Sequence, residues 1–287
     1  MTVHAYRARI LRFAENKAPA SSAILDEDGL LVIGTNAVGK QVVVAVGSHQ
    51  NLIAKVKSDY PSVLIQHLPD RIIAPGFVDM HIHYPQTDVI GSPADGLLPW
   101  LEKYTFPEEN LYSSGEYAAK TATYFVAELL RNGVTTALTF ATSHVASVNA
   151  LFQVAHSKHM RLMTGKCLQD RNCPDGVRDQ TEQSLIDTEN LIQKWHGVDR
   201  LGYAITPRFA PTCSDAQLRG AGELAAKYPD VWVQSHVAEN KDELAWVSEI
   251  YPESRSYLQV YADFGLLRPK AVYAHGIHLD DADRSVL

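Results

Sequence analysis

Pro75-Gly76-Phe77-Val78-Asp79-Met80-His81-Ile82-His83-Tyr84-Pro85-Gln86 sets two imidazoles two residues apart at the end of an apolar run. Side chains alternate along a strand, so His81 and His83 point to the same side of it. Two neutral imidazoles held on one rigid strand suit a borderline metal such as zinc. In a chain with twelve histidines, an isolated H-x-H arises easily by chance. The weight of the pair therefore depends on what stands around it.

Working outward, Val231-Trp232-Val233-Gln234-Ser235-His236 is a short, mostly apolar run ending in a histidine, with Glu239 three residues later. Ala271-Val272-Tyr273-Ala274-His275 is a second such run, followed by Gly276. Taken singly, His236 reads equally well as a strand-end histidine donating to a carbonyl. Glu239 reads equally well as an acid favoured by a helix dipole.

The Pro75–His83 segment resembles the opening-strand motif of the amidohydrolase superfamily, roughly P-G-[FL]-[IV]-D-x-H-x-H. These are metal-dependent hydrolases built on a (β/α)8 barrel. The resemblance implies a ligand histidine at the end of the fifth barrel strand, another histidine at the end of the sixth and an aspartate from the eighth. His236 and His275 meet the first two expectations, in the right order. Catalytic groups at the C-terminal ends of separate strands are the arrangement expected of such a barrel. The His236-x-x-Glu239 spacing is similar to the H-x-x-E of purine and pyrimidine deaminases, in which the histidine binds metal and the glutamate moves a proton.

Further segments are similar to the guanine deaminases of that superfamily. They are Tyr84-Pro85-Gln86-Thr87, the run from Pro93 to Glu109, Asp170-Arg171-Asn172-Cys173-Pro174-Asp175, Thr206-Pro207-Arg208-Phe209-Ala210-Pro211-Thr212 and Tyr251-Pro252-Glu253-Ser254-Arg255-Ser256-Tyr257. The resemblance implies hydrolysis of guanine to xanthine and ammonia, with one zinc held by His81, His83 and His236 plus the aspartate. Glu239 and His275 would be catalytic, and Gln86, Arg208, Phe209, His236 and Glu239 would surround the substrate. The side-chain chemistry agrees: Gln86 offers donors and an acceptor, Arg208 a fixed fork of donors, and Phe209 a flat apolar face. The family also implies a homodimer. Two alternatives stand beside this reading: an amidohydrolase for a related purine or azine, and a non-catalytic truncated product.

Composition fits a cytoplasmic enzyme. The 287 residues are 46% hydrophobic and 21% charged with a net charge of −7, enough for a substantial core. No basic cluster points to nucleic acid, and no apolar run is long enough to span a bilayer. Cys167, Cys173 and Cys213 are odd in number and lack C-x-x-C spacing, so neither a disulfide framework nor a thiolate zinc site is expected.

Residues 1–71 contain short β-prone runs, such as Leu30–Ile33 and Gln41–Val46, and are expected to form a small β-sandwich-like domain. Residues 72–287 are expected to form the hydrolase barrel. Its strands are placed at Ile72–Met80, Val134–Phe140, Arg161–Leu168, Leu201–Thr206, Val231–Ser235 and Ala271–Ala274, with a helix over Glu116–Arg131 stopped by Asn132-Gly133. About six β/α units are thus present, and strands seven and eight, with their aspartate, are expected to be missing from an incomplete barrel. Asp280, Asp281 and Asp283 read as capping and solvated charge. His278 reads as loop, His144 as lying near a helix start, and His156 and His159 as helix surface.

Overall fold

The computed structural model describes residues 3–14, 22–37 and 39–287. The chain divides into two units, Met1–Gly76 and Phe77–Leu287.

The first unit is one four-stranded sheet in the order β3-β2-β1-β4, formed by β1 (Val3–Phe13), β2 (Ala23–Thr35), β3 (Gln41–Ser48) and β4 (Ile65–Ile73). Leu30 and Val32, two apart on β2, share one face and are fully buried with Ala5 and Val56. Val56 lies on helix α1 (His49–Asp59), where Leu52, Ile53 and Val56 form one apolar stripe against that face. The described residues of this unit thus build a single sheet covered by a helix. Reading the segment as β alone misses the helical spacing in α1.

The expected first barrel strand, Ile72–Met80, straddles two elements. Ile72 and Ile73 end β4, which pairs with β1, while β5 runs Phe77–His83. Pro75 lies between them, where it has no N–H to give to a ladder. The division between units accordingly falls after Gly76.

The second unit alternates strand and helix. Its sheet runs β11-β10-β9-β7-β6-β5, with a short β8 also pairing β9, and every pairing is parallel. The strands are β6 (Val134–Phe140), β7 (Arg161–Gly165), β8 (Cys167–Leu168), β9 (Gly202–Pro207), β10 (Trp232–Val237) and β11 (Ala271–His275). Between them lie α2 (Gly115–Arg131), α3 (Val145–Ser157), α4 (Thr181–Trp195), α5 (Asp215–Lys227), α6 (Lys241–Ile250) and α7 (Tyr257–Asp263). Ser114 caps α2 by accepting from the Tyr117 amide, and Gly133, at φ +81°, ends it. This is the incomplete amidohydrolase-type barrel that the sequence predicts, with six strands on its main path.

The predicted strand Arg161–Leu168 is broken at Lys166. Its amide takes a hydrogen bond to the Tyr203 hydroxyl at 3.0 Å instead of a ladder partner, and its buried ammonium pairs with Asp179. Gly165 is required beside the break, because a Cβ there would meet the Ala204 carbonyl oxygen at 1.8 Å. Inside the curl of the sheet, Leu138, Met163 and Ala204 pack together. Above them the Gln234 amide donates to the Thr139 carbonyl and the Thr206 hydroxyl, both at 3.0 Å. Asp280 does cap the last short helix, but Asp283 is not solvated charge: it is buried, accepts from Ser256 Oγ at 2.6 Å and pairs with Arg255.

Candidate active site and metal centre

His81 and His83 stand at the end of β5, which carries an irregularity. Asp79 and Ile82 oppose Ala137 and Thr139, so three steps on β5 match two on β6. Such a bulge re-aims side chains next to a functional site. Here the Asp79 carboxylate takes up the His81 amide at 3.1 Å. The two imidazoles lie 5.0 Å apart, edge to face. The β5 strand is separated from β10 by three others in the sheet, yet curvature brings His83 Nε2 within 3.0 Å of His236 Nε2. One donor atom each from His81, His83 and His236 lies within 4.8 Å of the others.

Several observations test whether this cluster fits a metal. His236 Nδ1 is 2.6 Å from the Arg208 carbonyl oxygen, so Nδ1 carries the proton and Nε2 presents its lone pair to the cluster. Two nitrogens each about 2.0–2.1 Å from one tetrahedral ion would lie roughly 3.3 Å apart, close to the His83–His236 separation. Burial lowers the pKa of all three imidazoles, that of His81 to about 4 and those of His83 and His236 well below the ordinary value. Neutral imidazoles are the ligating form. The donors fit a divalent ion, and His81, His83 and His236 could hold one.

The β10 end turns sharply. Ala238 takes φ +50°, the Val237 carbonyl accepts from the Gly276 amide at 2.9 Å, and the Ala238 carbonyl accepts from His278 at 3.0 Å. Asn240 then caps α6, and Glu243 Oε2 accepts from the amides of Glu239 and Asn240 at 3.0 and 3.1 Å. Glu239 therefore precedes the helix cap. The first-turn acids are Asp242 and Glu243, which disposes of the helix-dipole reading of Glu239.

His275, at φ +74°, turns its ring to within 5.0 Å of His81 and places Nε2 3.2 Å from Glu239 Oε2. A non-glycine residue in this backbone region is strained by about 1–3 kcal/mol, a cost the surrounding structure must hold in place. Burial raises the pKa of Glu239 and, as the largest cause, lowers that of His275. Both shifts disfavour the charged forms of the two groups at this contact.

Arg208 and Phe209 follow β9 and are almost fully buried. Both oxygens of Glu109 sit on Arg208 Nη1, at 2.8 and 2.7 Å, and the Phe106 ring lies 5.0 Å from the guanidinium. A single cavity of about 560 Å³ is lined by Gln86, Arg208, Phe209 and Glu239 together with His81, His83, His236 and His275. Every candidate site residue read from the sequence thus reaches one space.

Four contributors escape the sequence reading. Phe140 stacks on His83 with centroids 4.5 Å apart and lies 4.4 Å from His236, packing the two rings in place. Its position at the C-terminal end of a barrel strand was the available signal. Glu109 falls in a segment quoted for its resemblance but carries no role there. Glu243 closes a capping box with Asn240, so the Asn240-x-x-Glu243 spacing was its signal, whereas Tyr261 acts through contacts distant in sequence. The Tyr261 hydroxyl accepts from the Ala210 amide at 3.0 Å and donates to the His236 carbonyl at 2.8 Å.

The model of the amidohydrolase family matches residues 72–287. Guanine deaminase of Escherichia coli is 43% identical over 276 residues, covering 96% of this chain and 61% of that protein. The crystal structure of guanine deaminase from Bradyrhizobium japonicum superposes with a TM-score of 0.92 at 35% identity, over 100% of this chain and 61% of that one. The structure of guanine deaminase from C. acetobutylicum, with guanine bound in its active site, gives 0.88 at 32% identity, over 99% and 65%. The chain therefore spans somewhat under two thirds of the length of these relatives.

Proposed function

The chain belongs to the amidohydrolase family, and we propose that it is the greater part of a zinc-dependent guanine deaminase, converting guanine to xanthine and ammonia. The observation that carries this reading is the convergence of Gln86, Arg208 and Phe209 with the histidine cluster and Glu239 on one cavity. Similarity to guanine deaminases from several organisms supports it.

His81, His83 and His236 would hold a zinc ion, which would supply Lewis acidity to activate water near neutral pH. Phe209 packs against the flat face of the base, while Arg208 and Gln86 pair with its acceptors and donors. Glu239 takes a proton from the attacking water and gives it to the ring nitrogen beside the amino-bearing carbon. Water oxygen bonds to that carbon, the carbon–nitrogen bond breaks, and ammonia leaves with the protons that Glu239 relays. Burial raises the carboxyl pKa of Glu239, which suits a group that must hold a proton between two steps. His275, 3.2 Å away, orients that carboxyl. A cytoplasmic location and a homodimer belong to the same reading; the unpaired cysteines fit a reducing compartment.

Ammonia release from guanine with added zinc tests the proposal on this chain and on one extended to the relatives' full length. Release by the extended protein is expected. Zinc bound in the extended protein without ammonia release would overturn the substrate assignment.

A further inference from the structure

Arg208 is the one permanent cation among the described residues lining the cavity. An unpaired arginine there would favour anionic ligands, since its fork matches carboxylate and phosphate. Glu109 alters that. It comes from the short helix Phe106–Asn110, is fully buried, does not line the cavity, and places both oxygens within 2.8 Å of Arg208 Nη1. Phe106, three residues earlier on the same helix, packs on the guanidinium at 5.0 Å. One helical turn thus supplies a counter-charge behind the guanidinium and an apolar plate against it. Residues three apart share a helix face, which is why a single turn can supply both.

We propose that Glu109 is a specificity-positioning residue: by compensating Arg208 from behind, it makes the cavity select neutral oxopurines and reject anionic ones. The inference rests on Arg208 facing the substrate, as in the proposed function. It extends that reading to the charge state of the ligand. With Glu109 in place, Arg208 and its partner contribute no net charge, so the arginine reads neighbouring acceptors as a donor fork. With the counter-charge removed, the same fork becomes an anion site inside a cavity where charges are poorly screened.

The test compares binding of hypoxanthine, a neutral oxopurine, with urate, an anion at neutral pH, to the full chain. Calorimetry and ligand-induced thermal shift give the affinities without requiring turnover. The unmodified protein should bind hypoxanthine at least tenfold more tightly than urate. Glu109→Gln, which keeps shape and removes charge, should shift the urate-to-hypoxanthine affinity ratio at least tenfold towards urate. Glu109→Asp should restore the original ratio. Comparing ratios between proteins cancels the different shapes of the two ligands. A preference for urate in the unmodified protein overturns the proposal even if Glu109→Gln cannot be isolated. So does a ratio unchanged within twofold in Glu109→Gln. If guanine is not deaminated yet the ratios shift as stated, the reaction assignment fails and the charge selection stands.

Discussion

Tyr261→Phe removes one oxygen atom from a fully buried position, and the structure sets the consequence. The hydroxyl accepts from the Ala210 amide at 3.0 Å, just beyond the Arg208-Phe209 pair, and donates to the carbonyl of His236 at 2.8 Å. Ser235 Oγ also lies 2.8 Å away, but its proton has a second acceptor in the Pro207 carbonyl at 2.7 Å. The substitution therefore strands two buried backbone groups, each costing about 1–3 kcal/mol. The ring itself is retained, so no sizeable cavity opens. A loss of about 3 kcal/mol follows, taking the middle of that range with some relaxation. For a unit of this size that corresponds to a fall in Tm of roughly 10 °C. Because the hydroxyl ties the substrate-side loop to the backbone of a candidate metal ligand, metal affinity should weaken too, by about 10-fold or more. Thermal unfolding in the presence of chelator isolates the first effect, and metal titration reads the second. A Tm change below about 2 °C would refute the reasoning, since it would mean that both backbone groups find other partners.

Glu239→Gln should retain bound metal and lose about 10²-fold or more in kcat, the scale of a positioned proton-transfer group, as measured by ammonia release and metal analysis on the same sample. Metal-free protein would instead make Glu239 a ligand. Arg208→Lys and Gln86→Ala should each lower kcat/KM for guanine by about 10-fold or more, because the substrate's polar edge is left unpaired; unchanged values in both would remove them from the site. The metal-free chain should lose stability as pH falls from 6.5 towards about 4, since burial holds His81 neutral in the fold while the unfolded chain takes up the proton. Above pH 6.5 this contribution should be flat. A urea midpoint that does not move across that window would show that His81 titrates normally in the fold.

The alternation of strand and helix after residue 77 was legible because each barrel strand is a short apolar run with turn residues at its ends. The histidine cluster was legible for the same reason: His81, His83, His236 and His275 close such runs. What periodicity does not record is the exception to it. The bulge that re-aims His81 needs only one extra residue between paired positions, and the break at Lys166 depends on a hydroxyl from a neighbouring strand. Helix α1 was hidden because Gln41–Ser48 runs straight into it, and its apolar stripe is only three residues wide. Glu109 and Tyr261 carry no local signature at all. Each is recognisable only once partners 99 and 51 residues away are beside it.

The 3.0 Å approach of His83 to His236 joins positions 153 residues apart. Contacts of such separation close slowly, because loop entropy is lost before they give anything back. During synthesis β5 leaves the ribosome long before β10, so the first two imidazoles wait on a strand with no third donor. Competence to capture metal therefore marks the moment at which the sheet has curled. A metal-sensitive dye added during refolding would time that closure, separately from helix formation seen by circular dichroism.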